Sequence, residues 1–185
     1  MEFIGALWHA ILLAALAAWF WSFLSWAAMT LHGPEFRKLP DEDAFSTALR
    51  GLKIPRGVYM FPYASGKDGS STEFRNKWNA GPVGMLHVWT PHVSMAKNMI
   101  LTYLTYVVAS VLTAYVAYEV LPAGSEFLRV FRIVGTIGVL TYCIAFIPTM
   151  VWFQGQPRAM AMAIIDGLVQ GLCVAAVFAW LWPEA

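Results

Sequence analysis

The chain has 185 residues, 59% of them hydrophobic, and a mean hydropathy of +0.59. It carries 12 Lys/Arg and 11 Asp/Glu, or 12% charged residues, where a soluble domain carries about 25%. That composition excludes a disordered chain and a disulfide-stapled secreted module, and the net charge of +1 excludes a nucleic-acid partner.

Charge-free intervals organise the sequence. Asp, Glu, Lys and Arg are absent between Glu2 and Glu35, between Lys97 and Glu119, and between Arg132 and Arg158; after Arg158 only Asp166 interrupts the run to Glu184. A bilayer core about 30 Å thick needs about 20 apolar residues at 1.5 Å each. Four transmembrane helices are therefore predicted near 4–29, 98–120, 130–153 and 159–182. The runs are continuously apolar, unlike barrel strands, and lipid requires backbone groups to pair within the segment. The first run lacks a basic leader and is too long for a signal peptide, so it is expected to stay as a span.

The first span carries Ala6, Ala10, Ala14, Ala18 and Ser22 at intervals of four. Small residues let helix backbones approach in lipid. The segment 31–97 holds nine of the Lys/Arg residues, and Arg158 falls on the same side, against Arg129 and Arg132 opposite. Positive-inside counting places 31–97 in the cytoplasm, with both termini outside.

Within that segment, Pro40-Asp41-Glu42-Asp43 opens a short helix ending before Gly51, its carboxylates at the positive end of the dipole. Gly57–Pro62 reads as a strand. Ser70 to Glu73 has capping-box spacing and starts a second helix through Trp78. Gly84–Trp89 reads as a second strand. Two helices and a strand pair make a small cap that Phe61, Phe74, Trp78 and Trp89 anchor at the headgroups. The fold class is an all-α transmembrane four-helix bundle with an α+β surface cap between helices one and two. Its parts are 1–30, 31–97 and 98–185.

In the third span Pro148 predicts a kink. In the fourth, Ala159, Ala163, Gly167, Gly171, Ala175 and Ala179 repeat the small-residue ridge. The ridges of spans one and four are expected to pack together, with Ala14, Ala18, Ser22, Ala163, Gly167, Gly171 and Ala175 at the contact; an oligomer interface is the alternative.

Asp166 is the one carboxylate inside a predicted span, and a carboxylate at that depth is a functional candidate by default. Gln170 shares its face. Ser22, Ser25 and Tyr106 are expected at similar depth. Together these five form a candidate intramembrane polar site, for structure or for a proton relay. No catalytic set and no cofactor are expected. Haem would need histidine ligands at matched depth, and only His32 with His87 or His92 could meet. Those three are candidate ligands for a surface metal, but are read as interfacial side chains.

Phe23-Leu-Ser-Trp26 running into Leu31-His32, Arg37–Ala44, Gly57–Pro62 and Asp166-Gly167 give the chain a resemblance to an uncharacterised family of small four-helix bacterial membrane proteins. The resemblance implies the four-span topology and points to Asp166; it implies no activity. The first functional reading is a non-enzymatic accessory or structural subunit of a membrane complex, with lipid and a membrane-protein partner or its own copies around it. The alternative is an oligomeric ion, proton or solute permeation unit using Asp166 and Gln170. A third is a haem- or quinone-linked membrane enzyme.

Overall fold

The computed structural model describes residues 2–153 and 155–185, and the chain divides into two compact units. One comprises the N-terminus to Arg37 and Met95 to the C-terminus; the other is Lys38–Ser94. Residues 31–37, read from sequence with the cap, belong to the first unit.

That unit is a bundle of four helices long and apolar enough to cross a membrane: Glu2–Ala28, Met95–Val120, Phe127–Trp152 and Pro157–Trp180. Two are interrupted. The first is α-helical over Glu2–Phe23 (α1) and widens to a π-helix over Leu24–Ala28. The third runs as an α-helix over Phe127–Val139 and as a π-helix over Leu140–Ile144. It then restarts as an α-helix over Ile147–Trp152. Pro148, without an N–H, cannot serve the Ile144 carbonyl, and its ring crowds that group. The irregularity expected at Pro148 is thus taken up in the turn before it.

The first long helix packs against the second and the fourth, and the fourth also packs against the third. Leu7, Ala10, Ala14 and Ala18 are fully buried, as are Ala114, Ala117, Val130, Val134, Val174, Ala175 and Phe178. The alanines bring backbones close, and the larger chains fill the end nearest the termini. Trp182 Nε1 donates to the Pro122 carbonyl at 3.0 Å, and the Gly124 N–H donates to the Pro183 carbonyl at 2.8 Å. Gly124 has φ +74°, which favours glycine, and a Cβ there would lie 3.0 Å from the Ala185 Cβ.

The glycines of the fourth helix face the third helix, not the first as expected. A Cβ on Gly138 would lie 2.7 Å from the Gly171 Cα; one on Gly167 would strike the Tyr142 carbonyl and lie 2.8 Å from the Cys143 Sγ. The ridge is used inside the protomer. A bulky substitution at Gly171 is therefore a change to the fold before it can report on association. Ala14, Ala18 and Ala175 are buried, while Ser22 and Ala163 are only half-buried.

In the second unit a helix spans Glu42–Leu52 (α2), capped by Asp41, whose side chain accepts the Ala44 N–H at 2.8 Å. Strands β1 (Gly57–Phe61) and β2 (Gly84–Val88) pair antiparallel with Tyr59 opposite Leu86. A helix over Thr72–Ala80 (α3) starts one residue later than the expected capping box: Ser71, not Ser70, accepts the Phe74 N–H at 3.1 Å. Glu73 pairs instead with Lys77 at 2.6 Å. That donor holds the exposed Glu73 carboxyl below its ordinary range. Between 38 and 94 every residue is exposed or half-exposed.

Candidate functional site: a buried carboxylate–imidazole–carboxylate chain

The helix over Pro157–Trp180 (α7 in chain order, after α4 at Met95–Val120, α5 at Phe127–Val139 and α6 at Ile147–Trp152) carries Asp166 nine residues from its start. At 1.5 Å per residue that is about 14 Å along the axis. The residue is 7% exposed. A carboxylate so placed is stable only if its oxygens are paired, and all of its side-chain partners in the structure come from the loop-side end of the first long helix and the turn after it.

Trp21 Nε1 donates to Asp166 Oδ1 at 3.1 Å. Ser25 Oγ lies 2.8 Å from Oδ1 and 2.9 Å from Oδ2. His32 Nε2 lies 2.8 Å from Oδ2. Trp21 and Ser25 are four residues apart, so the helix presents both to one neighbour. His32 reaches the same carboxylate because the helix ends on itself. The wide π turn at Leu24–Ala28 closes with the Leu31 N–H donating to the Ser25 carbonyl at 3.1 Å. Thr30 takes φ +49°, a strained conformation for a β-branched residue, and turns the chain back. A short 3-10 turn over Gly33–Glu35 follows.

His32 is 3% exposed. Its other nitrogen, Nδ1, lies 2.7 Å from Glu35 Oε1, close enough for an ion pair but not aligned as a hydrogen bond. The Trp26 ring stacks on the imidazole, centroids 3.9 Å apart and planes within 5°. The start of α7 fixes this loop from the side: Arg158 in its first turn donates to the Leu31 carbonyl at 3.2 Å, and Gln156, just before it, to the Glu35 carbonyl at 3.2 Å.

The chemistry follows from counting protons. A neutral imidazole has one N–H. Facing a carboxylate at each nitrogen takes two, or a proton on one of the carboxyls. Asp166, His32 and Glu35 thus form a row in which one imidazole stands between two carboxyl groups, with Nε2 2.8 Å from Asp166 and Nδ1 2.7 Å from Glu35. The order of groups does not suit nucleophilic catalysis. The Ser25 hydroxyl and His32 bond the same carboxylate, so the imidazole is not placed to take the hydroxyl proton.

Deeper in the bundle lies a second polar group. Gln170 Nε2 donates to the Tyr106 hydroxyl at 2.9 Å. The Tyr106 and Tyr142 rings meet edge to face at 5.8 Å. The Tyr142 and Ser110 hydroxyls are buried without an aligned partner.

Of the residues expected at one polar site, Asp166 and Ser25 meet, and Gln170 and Tyr106 meet as a separate pair. Ser22 is half-buried and bonds neither. Sequence reasoning missed Trp21 and His32 as partners of Asp166, and Trp26 and Glu35 as the neighbours of His32. His32 was read as interfacial; it is buried, and each of its nitrogens faces a carboxyl group, 2.8 Å from Asp166 and 2.7 Å from Glu35. His87 lies on β2 and His92 after it, both in the other unit. Among the described residues no three His, Cys, Asp or Glu side chains converge as a metal site. The signals available were the Trp21–Ser25 spacing and a His–Glu pair three residues apart at the end of an apolar run. No family model, no curated protein and no solved structure matches the chain.

Proposed function

We propose that the protein is a multi-pass membrane protein that serves as a non-enzymatic accessory subunit, and that its working part is a proton-exchanging site built from Asp166, His32 and Glu35. The observation that carries this reading is one buried imidazole held between two carboxylates. Glu35 is the outermost member, with a side chain 10% exposed, and is the point of proton entry and exit on the loop side. The nine Lys/Arg residues of 31–97 favour the cytoplasm for that side.

The core beyond the polar groups supports a subunit rather than a conduit. Leu7, Val130, Val134, Val174 and Phe178 are fully buried toward the terminal end, and none offers a donor or an acceptor. A proton that enters through Glu35 leaves by the same side. Its effect is on the charge balance that ties the end of the first helix to the fourth, and so on whatever binds there.

Gentle extraction from native membranes across a pH series tests this. The expected result is a co-purifying membrane partner or a defined homo-oligomer whose retention changes with pH in the wild type and is pH-independent in His32→Gln. A lone monomer at every pH would overturn the reading. So would steady proton flux in proteoliposomes that Asp166→Asn abolishes, since that describes a permeation unit.

A further inference from the structure

The Lys38–Ser94 unit is folded but coreless. It has two capped helices and a registered strand pair, and no residue in it is buried. A two-stranded sheet is marginal in water without a partner for one face. The outward face of this sheet is largely apolar, with His87 as its one polar side chain, opposite Val58. Val58, Met60 and Met85 point to the exposed side at 64%, 42% and 38% exposure, while Tyr59 and Leu86 alternate to the other. Trp89 continues the alternation of Met85 and His87 just past β2 and is 73% exposed; Tyr63, beyond β1, is 75% exposed. In a solvated antiparallel pair this face would be polar. An exposed, largely apolar face with a Trp at its edge marks an interaction surface.

From this we infer that the Val58–Met60–Met85 face, with Trp89 at its edge, docks on the lipid headgroup region of the bilayer. Two further observations favour lipid over another protein. The unit is tethered at both ends, at Lys38 and Ser94, to chain that runs directly into the long apolar helices, so it is confined to the membrane surface. Its charge is also suited: seven Lys/Arg stand against five Asp/Glu between 38 and 94, and basic residues near a surface favour anionic lipid. Trp and Tyr are the residue types that settle at that depth. The sheet plays the part that an amphipathic helix plays elsewhere, with its apolar side about 5–10 Å into the boundary.

The full chain in nanodiscs of phosphatidylcholine and phosphatidylglycerol tests the docking. The emission of Trp89 is taken as the difference between wild type and Trp89→Phe. Lipids brominated on the acyl chains are expected to quench most of that emission, and aqueous iodide little of it. Met85→Lys is expected to reverse the two, with the bundle's melting temperature unchanged; Asp68→Lys, on a turn, is expected to leave both as in the wild type. Iodide quenching without bromine quenching would show a solvated cap and overturn the inference. Protection from both quenchers would show that protein covers the face, and would overturn it equally.

Discussion

The two ends of the bundle solve the problem of burial differently. Toward the termini the four helices meet through Leu7, Val130, Val134, Val174 and Phe178, and the last residues are held by Trp182 and Gly124. Toward the loop they meet through Asp166, Ser25, His32, Gln170 and Tyr106. The apolar end needs only volume. The polar end needs every partner, because a buried group left alone costs more than its bond contributes. On the proposed reading a proton acts at the loop-side end, where Asp166, His32 and Glu35 stand together, and not at the terminal end.

Removing the close approach that serves both ends is expected to have the largest effect. Gly167→Leu drives a side chain into the Tyr142 carbonyl and the Cys143 thiol. Loss of the folded, detergent-resistant bundle is expected, read by gel filtration and circular dichroism. A stable bundle would mean that the third and fourth helices do not pack at these glycines.

Asp166→Ala and Phe178→Ala compare the ends directly. Each is expected to cost about 3–5 kcal/mol, the first by stranding His32 and Ser25, the second by opening a cavity. They separate on pH. The loss in Phe178→Ala stays constant as pH changes, whereas the difference between wild type and Asp166→Ala depends on pH, because the chain of exchangeable protons is gone. Denaturant titrations in mixed micelles at several pH values decide it, and equal pH dependence in both variants would erase the contrast.

Ser25→Ala is a milder probe of the polar end. It removes one donor from a carboxylate that keeps Trp21 and His32, so about 1–3 kcal/mol is expected. The smallest effect belongs outside the bundle. Glu73→Gln on α3 should leave the melting temperature unaltered near neutral pH, since surface pairs contribute little. Its carboxyl is held low by Lys77, so whatever the pair contributes is present above the ordinary carboxylate range and is lost as pH falls through the lowered value.

Much of this was legible in the sequence, and unevenly so. The four long helices follow from charge-free intervals, and the strand pair and both short helices from turn and cap residues. Asp166 stood out because a carboxylate in an apolar run is costly to bury and needs partners, whether its role is structural or functional. Its partners did not stand out. Ser25 was within reach of helix periodicity, but His32 depends on a π turn and a left-handed Thr30, which no spacing rule encodes. The glycine ridge was visible as a ridge, yet which helix fills it depends on how the third long helix is interrupted around Pro148. The coreless cap was hidden for another reason: alternation in β1 and β2 shows two faces without showing that neither is covered.

In the proposed function the buried His32 imidazole exchanges a proton with the loop side. Nitrogen-15 NMR of histidine-labelled protein in nanodiscs, with His32 assigned by His32→Gln, tests it most directly. The ring is predicted to pass between one and two N–H as pH is varied within the folded range, and to do so differently in Asp166→Asn while His9, His87 and His92 are unaffected. A His32 ring whose proton count never changes while the protein is folded, or which is indifferent to Asp166→Asn, would contradict it.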